Sequence, residues 1–187
     1  MSTATFIAIL IAIVAIAIAI WAILRMRNTT RLRSKFGPEY DHVVERAGGR
    51  TRAEAELTKR EKRVNKFNIR EFSPQERRHF ADAWTKEQSR FVDDPRTAVL
   101  NADALVIELM TARGYPMSDF QTQAADISVD HPRVVENYRE AHDIAELCRR
   151  GQSDTESLRR AMVHYRSLFE DLLGTTVVER QHEEITR

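Results

Sequence analysis

With one cysteine, Cys148, in 187 residues, the chain cannot form an intramolecular disulfide. Its stability must come from packing and hydrogen bonding, and this cysteine usage suits a reducing compartment. Only six glycines are present, two of them adjacent at Gly48-Gly49, which leaves little material for a phosphate-cradling loop. Glycine-rich nucleotide motifs, a nucleophile elbow and paired Cys-x-x-Cys motifs are all missing, so no cofactor is expected. No stretch alternates apolar and polar residues in the manner of a half-buried strand. Charge is missing locally: no charged side chain precedes Arg25, and no acid stands between residues 25 and 35.

What the chain does have is a run of 19 apolar residues, Phe6 to Leu24, without a helix breaker. At about 1.5 Å per residue such a helix covers roughly the 30 Å hydrocarbon core of a bilayer. Inside lipid a helix satisfies its own backbone, so residues 1–24 are expected to form a transmembrane anchor. The cluster that follows, Arg25, Arg27, Arg31, Arg33 and Lys35, forms a basic juxtamembrane collar over residues 25–35. The positive-inside bias puts the C-terminal side in the cytoplasm, with a very short N-terminus outside. A cleavable signal would show the opposite layout, basic residues first and a shorter apolar core. Ala4, Ala8, Ala12, Ala15, Ala19 and Ala22 fall along one side of the anchor, a candidate face for homo-oligomers, although Ala17 breaks the stripe.

Beyond the anchor the charge is polarised. Residues 36–72 carry nine basic and seven acidic side chains, and residues 73–187 carry 15 basic and 21 acidic ones. A basic collar suits anionic headgroups, each cation contributing about 1 kcal/mol, while a net acidic distal part argues against nucleic acid as a partner.

The punctuation is that of an all-α protein: one transmembrane helix, a helical stalk, then a small bundle of about five helices. Phe36-Gly37-Pro38 breaks the chain, with Pro38 suited to the first position of a new helix and Glu39 and Asp41 in its first turn. Gly48-Gly49 ends that helix. Thr51-Arg52-Ala53-Glu54 has a capping-box pattern opening a helix to about Phe67. Its apolar positions are sparse, so 36–72 is expected as a charged, mainly solvated stalk. The bundle, residues 73–174, starts at the capping box Ser73-Pro74-Gln75-Glu76 with a stripe of Phe80, Ala83, Trp84, Phe91 and Val92. Asp93-Asp94-Pro95 stops that helix and caps the next, which ends at Gly114. A short helix around Ser118 to Asp126 follows. Asp130 is expected to cap a helix burying Val134 to Cys148, and Ser153-Asp154-Thr155-Glu156 opens the most amphipathic helix, closed by Gly174. Residues 175–187 read as a polar tail.

Five runs along this order, FGPEYD at 36–41, RFVDDP at 90–95, RGYP at 113–116, SVDHP at 128–132 and AMVHYRSLF at 161–169, carry a resemblance. The chain resembles an uncharacterised bacterial family whose members pair an N-terminal hydrophobic segment with a soluble helical domain. The resemblance covers roughly residues 33–174. It implies a bacterial source and a membrane or envelope association, and it brings no activity, ligand or catalytic residue.

The most chemical constellation is His131, His142 and His164 with Asp126 and Asp130. Histidines beside carboxylates are the raw material of metal sites and acid–base chemistry, so these residues are the weak candidates for a metal-binding or enzymatic alternative. On a single straight helix His131 and His142 would lie about 16 Å apart, too far to share an ion. Capping and core roles are the main expectation. Glu-x-x-His pairs at Glu39/His42, Glu76/His79 and Glu179/His182 have the spacing of carboxylate-bridged metal bundles, but they fall in the stalk, at a cap and in the tail. The sequence thus points to a single-pass protein of the bacterial inner membrane, not an enzyme, whose cytoplasmic domain binds or scaffolds an unknown protein partner.

Overall fold

Eight helices make up residues 3–174, the part of the chain that the computed structural model describes, and no strand occurs among them. The polar tail 175–187, with Glu179 and His182, lies outside the described residues. The fold class is all-α, as expected, with an apolar helix at the N-terminus.

That first helix, α1 (Thr3–Phe36), is longer than the apolar run and carries the basic collar as its continuation. Nothing in the collar interrupts it, and it stops only where Gly37 takes a positive φ of 50°. Pro38 then opens α2 (Pro38–Ala47), with Glu39 and Asp41 in its first turn. Left-handed Gly48 ends α2, and α3 (Arg50–Val64) follows. The anticipated capping box at Thr51 does not form. Thr51 is already inside α3, because the amide of Ala53 bonds to the carbonyl of Gly49, and the Glu54 carboxylate accepts from Thr29 at 2.7 Å and Tyr40 at 3.0 Å instead.

The chain divides into two compact units, Met1–Thr58 and Lys59–Arg187, with α3 starting in the first and ending in the second. The first unit buries Leu32, Phe36, Tyr40, Val43, Ala53 and Leu57. The structure therefore departs from a solvated stalk over 36–72. A stripe as thin as Ala53 and Leu57 is fully buried in this unit, as are Leu32 and Phe36 from the end of α1. The second unit begins before residue 73: Phe67 and Ile69 pack against its core, Phe72 belongs to it, and the Arg70 amide bonds to the Arg113 carbonyl at 2.9 Å.

Within the second unit the remaining helices are α4 (Pro74–Arg90), α5 (Pro95–Arg113), α6 (Phe120–Asp130), α7 (Val135–Arg149) and α8 (Thr155–Leu173). Helices α4, α5, α6 and α8 each start on a side-chain cap. Ser73 and Glu76 form a reciprocal capping box, and Asp94, Asp119 and Asp154 accept from Thr97, Thr122 and Ser157 amides. Helix α8 is capped by Asp154, one residue later than a box from Ser153 would have it. Gly114 ends α5 at φ 108°, and a Cβ there would collide with the Asn68 carbonyl, so glycine is required both for its backbone and for this close approach. Helix α5 packs on α4, α7 and α8, and α7 packs on α8. Between them lie Trp84 stacked on Phe169 at 4.9 Å, Leu109, Met110, Leu158, Leu168 and Leu172. Val92, assigned to the stripe of the first helix, is 82% exposed, because the chain leaves α4 at Arg90.

Candidate functional site

Helix α5 places one carboxylate among its apolar positions. Asp103 lies one turn from Val99 and from Val106 and is only 1% exposed. A charge in such a position must be fully partnered. The hydroxyl of Tyr165, from α8, donates to Asp103 Oδ1 at 2.6 Å. From α7, His142 Nδ1 faces the same oxygen at 3.3 Å, and the Arg149 guanidinium pairs with Oδ2. Burial alone would raise the Asp103 pKa, but hydrogen bonds from His142, Tyr165 and Arg149 outweigh it and hold the carboxyl below its ordinary value. The same burial and the nearby Asp103 charge push the Tyr165 and Tyr138 hydroxyls well up, so both stay neutral.

The ring of His142 is clamped further. It stacks on Phe120 of α6 at 3.7 Å between centroids and 10° between planes, and its Nε2 lies 4.0 Å from Glu146. An aspartate holding Nδ1 of a histidine is one half of a nucleophilic triad; the other half is a hydroxyl or thiol at Nε2. Here that place is taken by a carboxylate that also pairs with Arg149. The arrangement ties α5, α7 and α8 together through one buried charge and its three polar partners, and its chemistry is that of a structural ion-pair network.

The other expected site residues are dispersed. His131 caps the C-terminus of α6, its Nδ1 2.5 Å from Asp171 on α8. His164 sits on α8 with Nε2 3.2 Å from Glu140 of α7. Asp126, buried in α6, pairs with Arg63, while Arg60 donates to neighbouring Ser128 at 3.2 Å. Burial raises the Asp126 pKa in spite of Arg63. Asp130 is not a cap for the following helix: α6 runs through it, α7 starts after Val134 without a side-chain cap, and Asp130 accepts from Tyr115 at 2.8 Å. Each histidine thus has its own carboxylate on a neighbouring element, and among the described residues no three His, Cys, Asp or Glu side chains converge as a metal cage. Cys148 is buried, with its thiol donating to the Arg96 carbonyl at 3.8 Å.

Sequence reading overlooked Asp103, Arg149 and the hydroxyl of Tyr165. The signal was present: an acid at a core-facing position of a helix, where solvation is lost, demands partners from the facing helices.

The collar residues belong to the first unit. Arg25 lies over the Trp21 ring at 5.3 Å and donates to Thr51 Oγ1 at 2.8 Å, and Arg33 pairs with Asp41 at 3.4 Å. Arg27 and Arg31 are exposed and Lys35 is half-buried. The apolar side chains from Leu10 to Met26 that rank among the large exposed ones are 50–70% exposed. Compared with family models, curated proteins and solved structures, the chain finds no match in any of the three.

Proposed function

We propose that the chain is a single-pass membrane protein that presents a helical domain on the cytoplasmic face of a bacterial inner membrane, where it binds or scaffolds a protein partner. The observation that carries this reading is the exposure of α1. Leu10, Ile13, Ile16, Ile20 and Leu24 point outward on a helix apolar all round its circumference. A core helix of a water-soluble protein buries such residues. Exposed apolar surface of this extent is compatible with lipid or a partner and is strongly unfavourable in water. The helix is long and apolar enough to cross a bilayer. Arg25 and Arg27, immediately after the run, support the cytoplasmic side by the positive-inside bias.

Binding is favoured over catalysis by the state of the polar groups. Asp103, His142 and Tyr165 satisfy one another across three helices, and Asp126, Asp130, His131 and His164 are each engaged singly. In-cell cross-linking tests the reading, combined with a compartment-sensitive reporter fused after residue 174. The expected result is cytoplasmic reporter activity and a discrete cross-linked protein lost when residues 73–174 are deleted. Periplasmic reporter activity, or no adduct at all, would contradict it.

A further inference from the structure

Folding brings a second basic segment beside the end of the apolar run. Thr51, in the first turn of α3, is 26 residues from Arg25 in sequence, yet Arg25 Nη2 donates to its Oγ1 at 2.8 Å. Four residues further along α1, Thr29 donates to Glu54, three residues further along α3, at 2.7 Å. The two helices therefore advance side by side from this point, and Arg50 and Arg52, on either side of Thr51, stand level with Arg25. Both are exposed. Residues 42–53 hold a single acid, Glu45, against Arg46, Arg50 and Arg52. Arg46 is engaged by Glu56, and Glu54 is buried among its own donors.

The far end of the collar differs. Arg33 is eight residues, about 12 Å, further along α1 than Arg25, beyond a Debye length of about 8 Å at physiological salt. Its guanidinium is paired with Asp41 and lies over Tyr40. A headgroup layer at the end of the apolar run meets Arg25, Arg27, Arg50 and Arg52 first.

On the reading that α1 spans a bilayer, we propose that Arg25, Arg27, Arg50 and Arg52 form one binding surface for anionic phospholipid headgroups. The first turn of α3 is then a lipid-contact element, and the distal collar residues Arg33 and Lys35 are not part of the surface. The occupant is an anionic lipid because the surface continues directly from the apolar helix, and guanidinium groups match phosphate oxygens in geometry and charge.

Trp21 supplies a native reporter, since it lies one turn before Arg25 with that guanidinium over its ring; the only other tryptophan, Trp84, is buried in the second unit. The full chain is reconstituted in phosphatidylcholine vesicles, and Trp21 quenching is titrated with headgroup-proximal nitroxide derivatives of phosphatidylglycerol and of phosphatidylcholine. The expected result is preferential quenching by phosphatidylglycerol, with the preference reduced about fivefold or more in Arg50→Gln/Arg52→Gln. Arg33→Gln/Lys35→Gln removes the same charge and is expected to leave the preference within about twofold of the parent chain. Equal loss in both double variants, or no loss in the first, overturns the proposal while leaving the anchor intact. Absence of quenching by either lipid overturns the anchor itself.

Discussion

Helices α1 and α8 are made of similar apolar residue types and do opposite things with them. In α8 the residues Leu158, Ala161, Met162, Tyr165, Leu168, Phe169 and Leu172 recur along one face and are all buried. In α1 the apolar residues run continuously, no face is polar until Arg25, and the described side chains of the run stand outward. Period and composition together separate the two: a stripe on a helix that is otherwise polar is matched by neighbouring helices, whereas a fully apolar cylinder requires an apolar surrounding on every side. Charge is handled alike inside the two units and differs at the end of the apolar run: Asp103 in the second and Glu54 in the first are buried among their own donors, whereas Arg25 and Arg27 stand exposed where the run ends.

The largest expected effect attacks that contrast in α1. Ile16→Arg with Ile20→Arg puts two charges at the centre of the run, each costing about 3 kcal/mol in a bilayer. The variant is expected to leave the alkali-resistant membrane fraction while the helical domain keeps its circular-dichroism signature. Next, Asp103→Ala removes the buried acceptor of Tyr165 and His142 and one of the two carboxylates at Arg149, and is expected to cost about 4 kcal/mol, read as a lower denaturation midpoint in detergent. Asp103→Asn keeps the shape and part of the hydrogen bonding and should lose less.

The pH response follows with its sign. The folded state holds the Asp103 pKa below its ordinary value of 3.8. The stability it contributes is therefore complete above about pH 4 and is lost as pH falls through the lower folded value. An acid titration of unfolding should be steeper in the parent chain than in Asp103→Asn; identical slopes would remove the network from the account. The smallest effect is local. Gly114→Ala forces a left-handed residue and a Cβ against the Asn68 carbonyl. About 2 kcal/mol of destabilisation is expected in the same denaturation assay, with membrane retention unchanged.

Much of the fold was legible in the sequence because its stops and starts rest on local chemistry. Gly37-Pro38, Ser73 with Glu76, Asp94, Gly114 and Gly174 all act where their side chains or backbones predict. The failures have one physical cause, a local signal overruled by distant partners. Glu54 fits a capping box, yet Thr29 and Tyr40 claim its carboxylate. Asp130 fits a cap, yet α6 continues through Ile127 and Val129, which the core buries, and Tyr115 takes the acid. The segment 36–72 reads as too polar to pack because Leu32, buried with its thin apolar stripe, stands in the basic collar, and Phe36 stands at the chain break that opens the segment. Asp103 is not legible from its neighbours in sequence, because the donors that justify it lie 39 to 62 residues away.

The claim on which the rest depends is that α1 belongs in lipid. Its most direct test is extraction of membranes from cells expressing the full chain, first with high salt and then with alkaline carbonate, followed by detection of the helical domain. The account predicts that the chain stays in the pellet through both washes and is released by detergent alone. Recovery of the intact chain in either wash would contradict it.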